Sequence, residues 1–340
     1  MRKIPVNEAV GQTICHDMTA ILEGGFKGVR FKRGHVVTAE DIPVLLSMGK
    51  EHIYAWEPDA DEVHEEDAAR LLTEAMCGPG VSWSGPSEGK MTVTAEIDGL
   101  FVVNSEALKK INLVPDYTVA CLPGNTRVVK GQKLVGARIV PLVTNRENVD
   151  SAVAIAKEYA PVFSVKPFRR LKTGVVITGN EVYYGRIQDR FQGVLTPKLE
   201  DYQAEILGFT KCPDDLGAIL QAVADFRAKG AELILLTGGM SVDPDDLTPS
   251  AIRECGGMFV TQGMPVQPGN MLTVAYVDGC ALVGVPGASL KSPATALDIF
   301  LPRIFAGQTI TKEEVSAMGE GGLCQGCEIC HFPNCTFGRN

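Results

Sequence analysis

No stretch of this 340-residue chain approaches the roughly 18 uninterrupted apolar residues of a membrane helix, and the opening MRKIPVNEAVGQ lacks the apolar core of a secretion signal. The expectation is a cytoplasmic protein with no membrane contact. Positive charge is also scarce. Lys and Arg number 32 against 41 Asp and Glu, a net charge of −9, so nothing in the overall balance favours nucleic acid or an anionic bilayer. Local donors can still hold a small anion. A working P-loop is missing: in GPSEGKMT the first glycine is displaced to Gly85, and Met91 stands where a Mg²⁺-binding hydroxyl belongs. Nor are the cysteines spread like a secreted disulfide scaffold. Of ten, Cys15, Cys77, Cys121, Cys212, Cys255 and Cys280 are scattered, while four fall in the last seventeen residues.

What is present is a chain 45% apolar and long enough for roughly two or three domains. Residues 174–310 alternate short apolar runs with helical periodicity. GVVIT (174–178) predicts a strand, VLTPKLEDYQAEILG (194–208) a helix stopping at Gly208, and LGAILQAVADFRAKG (216–230) a second helix stopping at Gly230. ELILL (232–236) and GCALVGVPG (279–287) predict buried strands. TPSAIREC predicts a helix with Thr248 as N-cap and Pro249 in its first turn, and a last helix is expected over about 288–306. Strands alternating with helices of this length imply right-handed βαβ units and a mostly parallel sheet covered on both faces.

The first 170 residues are more mixed. Helices are expected over 39–49 and 61–76, a strand over HIYAW (52–56), and a hairpin in MTVTAEIDGLFVV (91–103) around Asp98-Gly99. CGPGVSWSGPSEGK (77–90) reads as a Gly/Pro/Ser-rich loop that could subdivide this half near 78–90. The Pro-containing basic segment VKPFRRLK (165–172) marks the main boundary. The expected domains are 1–170, mixed α+β; 171–310, an α/β three-layer sandwich with a mostly parallel sheet; and 311–340, a cysteine-rich tail.

Three predicted strand ends present backbone: TGNEVYYG (178–185), TGGMSVDPDD (237–246) and VPGASLKS (285–292). Glycine there permits positive φ and brings N–H groups against a ligand, and a helix start behind it favours an anion. Ligands of parallel sheets sit at such carboxyl ends. The trio, with CPDD (212–215) opening the intervening helix, resembles the molybdopterin-binding domain of molybdenum-cofactor biosynthesis proteins, of both the stand-alone adenylyltransferase and the molybdenum-insertase types. The insertase pattern reads T-G-D/N-E-L, T-G-G-x-S-x-G-D-x-D and P-G-N-P in the three turns. The stand-alone pattern has P-D before the second helix and T-G-G-T-G-x-x-P-x-D-x-T-P-E-A, closer to PDD and DPDDLTPSA here. The resemblance spans about 171–306.

It implies a cofactor site of Thr178, Gly179, Asn180, Glu181, Thr237, Gly238, Gly239, Met240, Ser241, Pro286 and Gly287. It also implies that Asp214 and Asp246 are the catalytic acids that position Mg²⁺, nucleotide phosphate or the metal oxyanion. Three positions depart from the insertase pattern. Asn180 stands where many insertases carry Asp, Pro244 replaces the first motif aspartate, and Ala288-Ser289 replaces Asn-Pro. These departures weigh toward binding over molybdate insertion. Purely structural roles remain open for the acids: Asp214 or Asp215 as a cap of the helix at 216, and Asp246 as a brace of the turn before Thr248. More weakly, VNEAVGQTICHDMT (6–19) and FKRGHVVTAEDIPVLLSMGKEHIYAW resemble the opening of insertase-like proteins. His16 and Asp17 suggest a base and its orienting carboxylate, but adjacent residues on a strand point to opposite faces, which favours a surface or turn role; Lys27, Arg30, Lys32 and Arg33 read as a solvated hairpin, with attraction of the cofactor's phosphate as the alternative.

The tail GGLCQGCEICHFPNCTFGRN carries Cys324, Cys327, Cys330 and Cys335 as C-x2-C-x2-C-x4-C, with His331 inside. Four thiolates so close can surround one soft metal, either an iron–sulfur cluster or Zn²⁺, although the spacing differs from that of ferredoxins and from separated zinc pairs. The alternatives are a flexible tail of reduced thiols and thiols that handle molybdenum or sulfur. The resemblance implies a molybdenum-cofactor biosynthesis or maturation protein that binds molybdopterin or its adenylylated form. Mg²⁺-dependent nucleotidyl or molybdenum transfer is the enzymatic version, making it a molybdopterin adenylyltransferase or molybdenumtransferase. A non-catalytic chaperone or sensor delivering the cofactor to a molybdoenzyme is the rival. The implied partners are the pterin, a nucleotide, a molybdoenzyme or cofactor-synthesis protein, and further copies of the chain in a homo-oligomer.

Overall fold

The computed structural model describes residues 2–21, 27–55, 60–241, 243–244 and 246–339. Trp56 of the expected HIYAW strand and Asp245 of the acidic triplet lie outside the described residues. The chain divides into two compact units that change over at Val165/Lys166, the second also taking in two short pieces of the first half. Among the described residues no helix is long and apolar enough to cross a membrane.

The N-terminal unit holds two cores. The smaller gathers Ile4, Val6, Ile14, Phe31, Leu45 and Ile53 around the antiparallel pair Arg2–Pro5 and His52–Ala55 and the helix Asp41–Ser47. The larger core lies under the antiparallel strands Val81–Ser87, Lys90–Ala95, Lys133–Ile139 and Tyr117–Cys121. Lys90–Ala95 buries alternate residues Met91, Val93 and Ala95, the period of a half-buried strand. The expected hairpin over 91–103 is not formed. Lys90–Ala95 instead turns back on Val81–Ser87 through Glu88 (φ 50°) and Gly89 (φ 70°), two left-handed residues in succession of the kind that tight hairpins require, while Gly99–Val103 joins another sheet. The expected loop 77–90 is therefore largely a strand. The helix expected over 61–76 begins later, at Glu65, because Glu62–His64 pairs with Val143–Asn145 and the His64 side chain caps the helix.

The C-terminal unit is built on one sheet with strands β1 (Lys172–Thr178), β2 (Glu205–Cys212), β3 (Leu233–Thr237), β4 (Met258–Gln262), β5 (Thr273–Val277) and β6 (Cys280–Val285). Their order is β2-β1-β3-β6-β5-β4. The first four are parallel, and β5 and β4 extend them antiparallel. Side chains alternate between two buried faces. Val175, Ile177, Leu233, Leu235 and Val283 meet helices Phe191–Glu200 and Ala296–Phe305, whereas Val176, Ile234, Leu236 and Leu282 meet helices Leu216–Ala228 and Thr248–Glu254. This is a three-layer α/β sandwich with a mostly parallel sheet. Burial on both faces explains why the strands read as unbroken apolar runs. Gly174 lets one helix seat closely, since a Cβ there would stand 2.4 Å from the Phe226 ring.

Three sequence expectations shift. The helix expected to reach Gly208 ends at Glu200, and Glu205–Cys212 is β2. Gly208 (φ 141°) sits at an irregularity in the β1–β2 pairing, opposite Gly174, so it serves a β-bulge and not a helix stop. The last helix starts at Ala296, where Thr295 and Asp298 form a capping box; Gly287–Leu290 is a single 3₁₀ turn. Thr248 is the first helical residue and Leu247 the N-cap.

Candidate functional site

The carboxyl ends of β1, β2, β3 and β6 lie on one edge of the sheet, because all four strands run parallel. Thr178 pairs in register with Cys212, and Thr237 with both Ile177 and Val285. At about 4.8 Å per strand the three turns therefore fit within roughly 15 Å. The chain leaves β1 for β2 over one face of the sheet and returns from β2 to β3, on the other side of β1, over the opposite face. The connections thus diverge between β1 and β3, which is where open α/β sheets leave a crevice for a ligand.

Side chains and backbone at this point are tightly tied. The Thr178 hydroxyl donates to Thr237 O at 3.0 Å and lies 3.1 Å from the Thr248 hydroxyl. Thr178, Thr237 and Thr248 are all buried. Thr237 Oγ1 is the one buried side-chain polar atom without a hydrogen-bond partner among the described residues. Such an atom costs roughly 1–3 kcal/mol unless something else satisfies it, so it marks a position that a ligand donor or acceptor could complete. Gly238 has φ 81°, and a Cβ there would stand 2.1 Å from Thr178 O; Gly239 has φ 48° and lies against the Thr178 and Thr248 hydroxyls. Only glycine lets the β3 turn press onto the end of β1 in this way.

The remaining candidates take different positions. Gly179 is buried with φ 133°, beside the Glu181 carboxylate, while Glu181 and Ser241 are exposed. Met240 points inward, and a Cβ on Gly284 would stand 2.5 Å from its Cε, so its side chain is core. Pro286 is buried and Gly287 exposed at the end of β6. The helices that follow β1 and β3, Asn180–Tyr183 and Thr248–Glu254, span 4 and 7 residues. They are too short to add much macrodipole, so the cradle consists of backbone and hydroxyls.

The two aspartates are engaged by backbone. Asp214 Oδ2 accepts from Asn180 N at 2.8 Å, and Asp214 N donates to Asn180 Oδ1 at 3.3 Å, which locks the β1 turn to the end of β2. Asp215, not Asp214, caps the following helix by accepting from Ala218 N at 2.8 Å. Asp246 Oδ2 accepts from Asp243 N at 3.1 Å and Asp246 N donates to Asp243 O, closing the loop before Thr248. Among the described residues no three His, Cys, Asp or Glu side chains are gathered to hold a metal. Thr248, read from the sequence only as a cap, joins this threonine cluster. The spacing of the TGG turn to Thr-Pro was the available signal.

The family model described as "probable molybdopterin binding domain" matches residues 174–306, and a domain of unknown function matches residues 3–57. The molybdopterin molybdenumtransferase of Synechococcus elongatus is 25% identical over 194 residues, covering 54% of this chain and 44% of that protein. That of Haemophilus influenzae is 24% identical over 281 residues, covering 80% and 64%. A CinA-like protein of Mycobacterium sp. is 37% identical over 86 residues, covering 25% of this chain and 20% of that protein. The chain thus spans less than two thirds of each of these curated relatives. The match to the molybdopterin-binding domain model is confined to residues 174–306.

Proposed function

We propose that the protein binds molybdopterin, free or adenylylated, in the crevice between the ends of β1 and β3, as a step in molybdenum-cofactor biosynthesis or maturation. The observation that carries this reading is the unpartnered, buried Thr237 hydroxyl at the point where the connections diverge, flanked by Gly238 and Gly239. Backbone N–H groups of 178–181 other than that of Asn180, which Asp214 occupies, of 237–241 and of Gly287 would serve a pterin phosphate, and the threonine hydroxyls supply polar contacts that need no mobile charge.

Transfer chemistry is the finer version of the same reading, supported by the molybdenumtransferase names of two relatives. A Mg²⁺ arriving with phosphates needs only one or two protein carboxylates and keeps its waters. Asp214 and Asp246, both half-exposed, are the residues that would hold it, each while bracing a backbone N–H. With Pro244 exposed where an insertase carries an acid, the arrangement favours a holder that hands cofactor to a molybdoenzyme or a synthesis partner. Self-association belongs to the same proposal.

Incubation with molybdopterin, ATP, Mg²⁺ and molybdate decides between the two. Adenylylated or metallated product establishes the enzyme. Stoichiometric pterin binding with neither product establishes the carrier, and absence of pterin binding removes both.

A further inference from the structure

The four clustered thiols sit in a part of the C-terminal unit for which the pterin site has no use, and the segment bearing them is docked. Cys324 N donates to Gln267 O and Gln267 N donates to Gly322 O, both at 2.8 Å. A Cβ on Gly322 would stand 2.2 Å from Pro265 O, and one on Gly338 2.6 Å from Ile299 Cδ1, so the chain is packed hard against the unit on both sides of the cysteines. Phe337 is buried in the core, and Cys324, Phe332 and Cys335 pack half-buried against it. A loose tail is therefore not what the sequence encodes. Between these anchors residues 325–331 run exposed, with neither helix nor strand, and carry Cys327 and Cys330.

All four cysteines line one cavity of about 360 Å³, together with Pro268 and Pro293. No three of them stand at metal-binding distance. Cys324 and Cys335 are the anchored pair, and Cys327 and Cys330 lie on the exposed stretch between them. Gly326 in this stretch has φ 65° and nothing within 4 Å of a would-be Cβ, so no packing contact ties it down.

We propose that this cavity is a thiophilic metal site, in which Cys324, Cys327, Cys330 and Cys335 close around one soft centre, the exposed pair folding onto the anchored pair. Zn²⁺ and an iron–sulfur cluster share this donor chemistry, with metal–sulfur bonds of about 2.3 Å for Zn²⁺, and each ligating thiol releases its proton to solvent. The other cysteines are of a different kind: burial pushes the Cys212 and Cys255 thiols up, and that of Cys280 to about 11, as in inert core positions. The site stands or falls independently of the pterin crevice.

The test uses the full chain purified without oxygen. Metal and inorganic sulfide analysis, followed by reconstitution with Zn²⁺ or with Fe²⁺ and sulfide, should show one centre per chain. Zn²⁺ without sulfide identifies the mononuclear site, and iron with sulfide the cluster. The Cys327→Ser/Cys330→Ser variant, altered only at exposed positions, should lose at least tenfold in affinity, while Cys255→Ser keeps it. Mass-spectrometric mapping should find the four thiols protected from alkylation by the bound metal. Neither metal retained after reconstitution, full affinity in the double variant, or protection at other cysteines would overturn the proposal.

Discussion

The strand-end crevice and the cysteine cavity belong to the same compact unit but are built on opposite plans. At the crevice the described contacts are close: Gly238 presses on Thr178 O, Thr178 bonds Thr237 and Thr248, and Asp214 ties the first turn to its neighbour. In the cysteine segment only the ends are fixed, and the stretch bearing Cys327 and Cys330 is open to solvent. A rigid cradle suits a large, polar molecule recognised by shape and hydrogen bonds, since preorganisation lowers the entropic cost of binding. A half-formed thiol site suits an ion whose bonds are strong enough to complete it.

Glycine substitutions give the sharpest contrast. Gly238→Val should cost roughly 3 kcal/mol or more, combining a left-handed φ with a 2.1 Å clash on backbone, as read from the shift in denaturant midpoint. Gly326→Ala, with open space around it, should cost about 1 kcal/mol or less. Equal losses would break the distinction. Next comes the carboxylate lock: Asp214→Ala should destabilise by roughly 1–2 kcal/mol by leaving Asn180 N unpaired, whereas Asp246→Ala, in an exposed turn, should cost about 0.5 kcal/mol. If Asp246→Ala nevertheless abolishes nucleotidyl or molybdenum transfer, its role is catalytic and not structural. Asp215→Ala, which removes the helix cap, should cost about 1 kcal/mol with no effect on ligand binding. The smallest stability change is expected for Thr237→Val, within about 1 kcal/mol of wild type and in the stabilising direction, because it deletes a hydroxyl that has no protein partner.

Sequence reasoning was strongest where burial is two-sided. GVVIT, ELILL and CALVGV have no polar interruptions, so β1, β3 and β6 and the turns after them were legible, as was the 216–228 helix with its acidic cap. It failed where one pattern satisfies two periods. Ala204, Ile206 and Leu207 fit a helix as well as an edge strand, and Gly208 imitates a helix stop while serving a bulge. β4 and β5 went unrecognised because five-residue runs between Gly and Pro resemble loops. Residue types pointed to three turns that do lie along one edge of the sheet, but not to side-chain direction. Met240 faces the core, and the aspartates are occupied by backbone N–H groups several residues or a whole strand away. The docking of the cysteine segment depends on Pro265, Gln267 and Ile299, contacts that no local pattern announces.

The central claim is that a rigid crevice at the β1–β3 divergence holds the pterin, and one titration tests it most directly. Molybdopterin is added to the wild-type chain and to Thr237→Val/Ser241→Ala, with folding of both checked by their denaturant midpoints. The account predicts one pterin per wild-type chain and at least a tenfold weaker affinity in the variant, with stability no lower than wild type. Equal affinity in both proteins, or no binding to the wild type, would contradict it.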